Sequence, residues 1–156
     1  MRPSECFIEK TKQTGLYNIQ AIDNVASIMQ EGLLSNEKAH HISHTSIAMN
    51  VVQERRENIR VPNGLNLHQY ANVYFDPHNP MLSARRSQNN SLCILKFDCM
   101  ILDMRNKSVK CAEVLVPYCI PYDYVTCAAV VNDEAALKLE NIGFHRKIEI
   151  FPQVFF

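Results

Sequence analysis

The second half of the chain most limits its fold. From Leu92 onward the runs "LCILKF", "MILDM", "KCAEVLV" and "YVTCAAVV" are each of strand length, apolar or alternating, and closely spaced by polar or turn residues. Helical periodicity is concentrated earlier, so helices come first and strands later, the pattern of an α+β chain rather than of alternating βαβ units. The 156 residues suffice for one core, and with four glycines and no low-complexity linker they read as a single domain over 1–156. No apolar run nears the roughly 18 residues of a membrane span, and "MRPSECFIEK" is charged where a secretory signal needs an apolar centre. The expectation is a cytoplasmic protein with no membrane partner.

Lys plus Arg balance Asp plus Glu at 16 each, which excludes a strong global field for nucleic acid. Arg55, Arg56, Arg60, Arg85 and Arg86 nevertheless gather in the middle third, leaving room for a local basic surface. The six cysteines include no CxxC pair, and four lie in strand-like contexts, so reduced cysteines are expected rather than zinc or disulfides. His40, His41 and His44 have no acidic or thiol ligand at fixed spacing and read as a solvated or ligand-facing loop; no metal is expected. P-loop, GxGxxG, GxSxG and HExxH signatures do not occur.

"LYNIQAI" alternates, setting Asn18 and Gln20 side by side on one face of a strand. Asp23 or Asn24 can cap a helix with Val25, Ile28 and Met29 as its stripe and Gly32 as its stop. A second helix is expected over 46–59, a strand at "NVYFDP", a proline turn at "PHNPM", a helix over Asp133–Gly143, and a closing edge strand in "KIEIFPQVFF". If 109–116 is one strand, Val109, Cys111, Glu113 and Leu115 share a face, and the Glu113 carboxylate needs a partner to offset its desolvation. Lys96 and Lys110 are the structural candidates for that partner; catalysis is the functional alternative.

"LYNIQAIDNVASIMQEGLLS", "VVQERRENIRVPNGLNLHQYANVYFDPHNPML" and "AEVLVP" resemble, in this order, segments of the DarT family of bacterial toxins. The resemblance implies split, mostly antiparallel β-sheets with a central NAD cleft and peripheral helices, the ADP-ribosyltransferase fold. It implies NAD as co-substrate, transfer of ADP-ribose to a nucleobase in single-stranded DNA, and a macrodomain antitoxin as partner. Glu113 resembles the catalytic glutamate and Arg55 a catalytic, NAD-contacting arginine. Asn18, Gln20, Asn24, Leu33 and Tyr74 fall at NAD-binding positions, and Arg56, Arg85 and Arg86 are candidates for DNA phosphates. A carboxylate suits that chemistry because positive charge develops on the ribose as the nicotinamide bond breaks. Where the family has His, Thr and a second His, this chain has Asn18, Gln20 and Ala21. Only Arg105–Ser108 stands where the family carries a long loop. RNA or protein as acceptor, or a weakly active NAD- or nucleic-acid-binding relative, are the alternative expectations.

Overall fold

The computed structural model describes residues 1–42, 45–46, 50–78 and 86–155, and the backbone alone of 50–52 and 86. Among these residues the main sheet has seven strands: β1 (Gly15–Ala21), β3 (Tyr70–Tyr74), β4 (Leu92–Asp98), β5 (Ser108–Lys110), β6 (Glu113–Pro117), β8 (Val125–Val130) and β9 (Lys147–Ile150). Their spatial order is β5-β6-β3-β1-β4-β8-β9. A small second sheet pairs β2 (Leu33–Leu34) with β7 (Cys119–Ile120).

The main sheet is split at its centre. On one side β1 runs antiparallel to β4 along its whole length, from Gly15↔Asp98 to Ala21↔Leu92. On the other, β1 meets β3 only at Tyr17↔Tyr74. Backbone groups left without a ladder partner must bond elsewhere, and this is where side chains enter the sheet. All pairings are antiparallel except β8 with β9 at one edge. The main core spans both halves and includes Leu16, Ile19, Val73, Ile94, Phe97, Val114 and Leu139; Val61, Leu67, Tyr70 and Leu115 form a smaller cluster beneath the 59–67 loop.

Five helices flank the sheets among the described residues: α1 (Pro3–Thr11), α2 (Val25–Glu31), α3 (Asn36–Ala39), α4 (Asn50–Glu57) and α5 (Asp133–Asn141). The sequence reading had no element for α1. Pro3 at its first position and the Arg2–Glu5 contacts start it, and Ser4 ties it to Asp103 by two hydrogen bonds of 2.9 and 2.6 Å. Both α2, which stops at Gly32 with φ 80°, and α5 are where the apolar stripes put them.

Three expectations are corrected. "MILDM" is a 3-10 turn (Cys99–Asp103), not a strand: Asp98 caps Met100 N at 2.8 Å, and Cys99 and Leu102, three apart, turn inward together. "KCAEVLV" is not one strand but a hairpin. Lys110 pairs with Glu113, and the two residues between them, Cys111 and Ala112, have φ of 50° and 65°. Both central positions of a two-residue hairpin turn of this hand need positive φ, a geometry that favours Asn-Gly and strains Cys-Ala. The last strand ends at Ile150, so Pro152 lies outside it, in a 3-10 turn. The proline turn from Asn79 on and residues 47–49 of the expected second helix lie outside the described residues.

Candidate functional site

Gln20, Asn24, Ser27, Ile28, Gly32, Leu33 and Ile42 line a small cleft of about 70 Å³ between β1, α2 and β2, less than the roughly 300 Å³ of a site that encloses a drug-sized ligand. Gly32 makes its rim possible. A Cβ there would lie 2.6 Å from the Ile120 carbonyl oxygen and 2.7 Å from Cys119 Sγ, and the backbone is left-handed as well.

Asn24 sits at the start of α2 without capping it. Its amide instead holds a backbone segment on the far side: Nδ2 donates to the Thr45 carbonyl and Oδ1 accepts from Thr45 N, both at 2.7 Å. Asn24 Nδ2 also donates to Gln20 Oε1 at 3.1 Å, and Gln20 Nε2 donates to Asn18 Oδ1 at 2.9 Å. Asn18, 7% exposed, donates from Nδ2 to the Asn72 carbonyl at 3.0 Å, across the gap where β1 and β3 part. The expected side-by-side placement of Asn18 and Gln20 is present, and its polar groups satisfy one another.

On the other half of the sheet, Glu113 opens β6 immediately after the strained turn and faces Tyr74 in register. Its partner is Arg56 of α4, not Lys96 or Lys110. Arg56 Nη1 and Nη2 reach Glu113 Oε1 and Oε2 at 3.0 and 3.2 Å, a two-point fork, with the side chains 19% and 14% exposed. Burial, then the negative charge of Glu113, pushes the Tyr74 phenol up, keeping it a neutral hydrogen-bonding group. Asn36 of α3 donates to Gln53 of α4 at 3.4 Å, linking the cleft wall to the helix that carries Arg56.

Arg55 is exposed, whereas Gln53 and Arg56, three residues apart on one helix face, are both half-buried. Arg85 lies outside the described residues; Arg86 begins the 3-10 turn Arg86–Ser91. The structure thus gathers Gln20, Asn24 and Leu33 at one cleft and joins Asn18 to it. It sets Tyr74 with Glu113 and Arg56 and leaves Arg55 outside. Thr45 and Asn72 were not legible as participants because both act through backbone groups, which carry no residue-type signal. Among the described residues no cluster of His, Cys, Asp or Glu could hold a metal, and the six cysteines are free thiols.

A seven-strand sheet split beside a polar cleft, with helices outside, is the ADP-ribosyltransferase fold. It superposes on Thermosipho africanus DarTG in complex with ADP-ribose with a TM-score of 0.83 at 22% identity, over 92% of this chain and 51% of that one. Thermus sp. 2.9 DarT in complex with ADP-ribosylated ssDNA gives 0.77 at 19%, over 93% and 97%. The family model described as "ssDNA thymidine ADP-ribosyltransferase, DarT" matches residues 17–109, and the chain belongs to the DarT family. That match takes in every residue of the cleft and stops just short of Glu113.

Two curated relatives agree. The Thermosipho africanus DNA ADP-ribosyl transferase-DNA ADP-ribosyl glycohydrolase fusion protein is 24% identical over 184 residues, 88% of this chain and 47% of that protein. The Thermus sp. DNA ADP-ribosyl transferase is 40% identical over 73 residues, 46% of this chain and 35% of that protein. The chain therefore spans less than half the length of the curated relatives it matches. The first alignment is longer than this chain's 156 residues, so that relative carries insertions that are lacking here.

Proposed function

We propose that this protein is an NAD-dependent ADP-ribosyltransferase that modifies a nucleobase of single-stranded DNA and acts as the toxin of a toxin-antitoxin pair. The observation that carries the reading is the forked Arg56–Glu113 contact on the strand that faces Tyr74, in a chain of this family. Support for the acceptor comes from the family description and from the Thermus sp. DarT bound to ADP-ribosylated ssDNA; support for the donor comes from the same protein in complex with NAD+.

The residues suit a dinucleotide. Carboxamides at Gln20 and Asn24 offer uncharged donors and acceptors to hydroxyl and amide groups, and Ile28 and Leu33 give an apolar wall. NAD supplies a ribose carbon with nicotinamide as leaving group. Glu113, ionised against Arg56, stabilises positive charge developing beside it and can take a proton from the acceptor base. Arg56, a sequence candidate for DNA phosphates, is in this reading the partner that aims Glu113, and Arg55, exposed, takes its place beside Arg85 and Arg86 as a candidate for those phosphates. An unpaired strand is the fitting acceptor, since the ring atoms of a stacked, paired base are out of reach without flipping.

The fusion of a transferase to a DNA ADP-ribosyl glycohydrolase in the Thermosipho relative supports a macrodomain antitoxin that removes the mark. Among the described residues no helix is long and apolar enough to cross a membrane, and a cytoplasmic site of action suits a DNA substrate. The test is labelled NAD incubated with single-stranded DNA, RNA and protein pools, with and without Glu113→Gln. Transfer to single-stranded DNA alone, abolished by the substitution, is expected. Transfer only to RNA or protein would replace the acceptor, and NAD binding without transfer to any pool would remove the enzyme reading.

A further inference from the structure

The hydrogen bonds from Asn72 to Thr45 form one chain whose direction is fixed at both ends. A backbone carbonyl can only accept, so Asn18 must turn Nδ2 to the Asn72 oxygen and Oδ1 to Gln20. Gln20 must then donate from Nε2, which leaves Oε1 to accept from Asn24. At the far end the Thr45 N–H can only donate, so it takes Asn24 Oδ1, while the Thr45 carbonyl takes an Asn24 N–H. Orientations worked out from the two ends meet without conflict. Both N–H groups of Asn24 are engaged and Asn18 is buried. Among the described residues Gln20 is the member that lines the cleft and retains an N–H not used within the chain.

We propose that Asn18 is a positioning residue that acts through Gln20, polarising this carboxamide relay so that Gln20 presents an N–H donor to a neutral oxygen of the bound nucleotide. The relay does without an imidazole and fixes polarity by backbone groups at its two ends instead of by a protonation state. It also connects the cleft to the carbonyl of β3, two residues before Tyr74, which faces Glu113. The inference rests on NAD being the ligand of this cleft. The neutral oxygen is a ribose hydroxyl or the nicotinamide carbonyl.

A double-mutant cycle tests it, because Asn18→Leu removes the oxygen that holds Gln20 Nε2 and Gln20→Met removes the donor itself, both at nearly constant shape. NAD affinity measured by calorimetry should fall about tenfold in each single variant, one lost hydrogen bond, and no further in the double variant, since Asn18 acts through Gln20 alone. If Asn18→Leu does not fold, the same cycle is run with Asn18→Ser. ADP-ribose, which lacks nicotinamide, shows the same loss if the oxygen is a ribose hydroxyl and none if it is the carboxamide. A position-18 variant that stays folded and binds NAD like the wild type, or a double variant whose loss is the sum of the two single losses, overturns the relay. If the wild type binds neither ligand, the NAD reading itself fails. The relay is then judged in the ligand-free protein by exchange of the side-chain amide protons, slow at Asn18 and Asn24 if it exists and fast if it does not.

Discussion

The two halves of the split sheet hold their polar groups by opposite means. On β1 and just after it, three neutral carboxamides satisfy one another and three backbone groups, so nothing charged is withdrawn from water. At the β5–β6 hairpin a charged pair sits half-buried on a turn whose two central residues are strained. Neutral relays are cheap to bury and fix direction; a half-buried ion pair depends on each partner being present, since either charge alone remains desolvated. In the function proposed above, binding and orientation fall to the first region and charge stabilisation to the second.

The comparison breaks most sharply at Glu113. Glu113→Gln should lower transfer from labelled NAD by about a hundred- to ten-thousand-fold while thermal melting shows the protein still folded. Activity within a few-fold of wild type would reduce the hairpin to a structural feature. The ion pair itself is tested by Arg56→Ala against Arg55→Ala in urea unfolding. The first should lose about 2 kcal/mol, less than a fully buried pair would, and the exposed Arg55 at most about 0.5 kcal/mol; equal losses would mean that the helix phase is wrong.

On the cleft side, Gly32→Ala should cost about 2 kcal/mol, because the left-handed backbone and the Ile120 carbonyl both oppose a Cβ. Relief of strain should act in the other direction. Replacing Cys111-Ala112 by Asn-Gly supplies the residues that the turn prefers and should raise stability by about 1 kcal/mol in the same assay. No gain would show that the turn stores no strain.

The smallest effect is a pH response. The Ser4 hydroxyl and amide hold the Asp103 carboxyl below its ordinary value. A depressed folded value gives stability that is present above the unfolded value and is lost as pH falls through the folded one. The melting temperature should thus fall below about pH 4, and Asp103→Asn should flatten that part of the curve.

Much of this was legible in the sequence, and the failures have physical causes. Period-2 and helical stripes located β1, α2, β4, β8 and α5, since burial of one face imposes those patterns on the chain. "KCAEVLV" was misread because Cys and Ala carry no turn signal, although both adopt positive φ. Only the paired strands on either side, Lys110 opposite Glu113, force the bend.

The order of segments and the facing of Asn18 and Gln20 were determined by the sequence alone, because they follow from local periodicity and residue type; the family was legible through the resemblance of whole segments. Which arginine reaches Glu113, where Asn24 directs its amide, and how Asn18 is connected to Gln20 were decided by tertiary structure. Each depends on a partner about 20 to 60 residues away in sequence, and a side chain's direction is set by the donors and acceptors that packing brings to it.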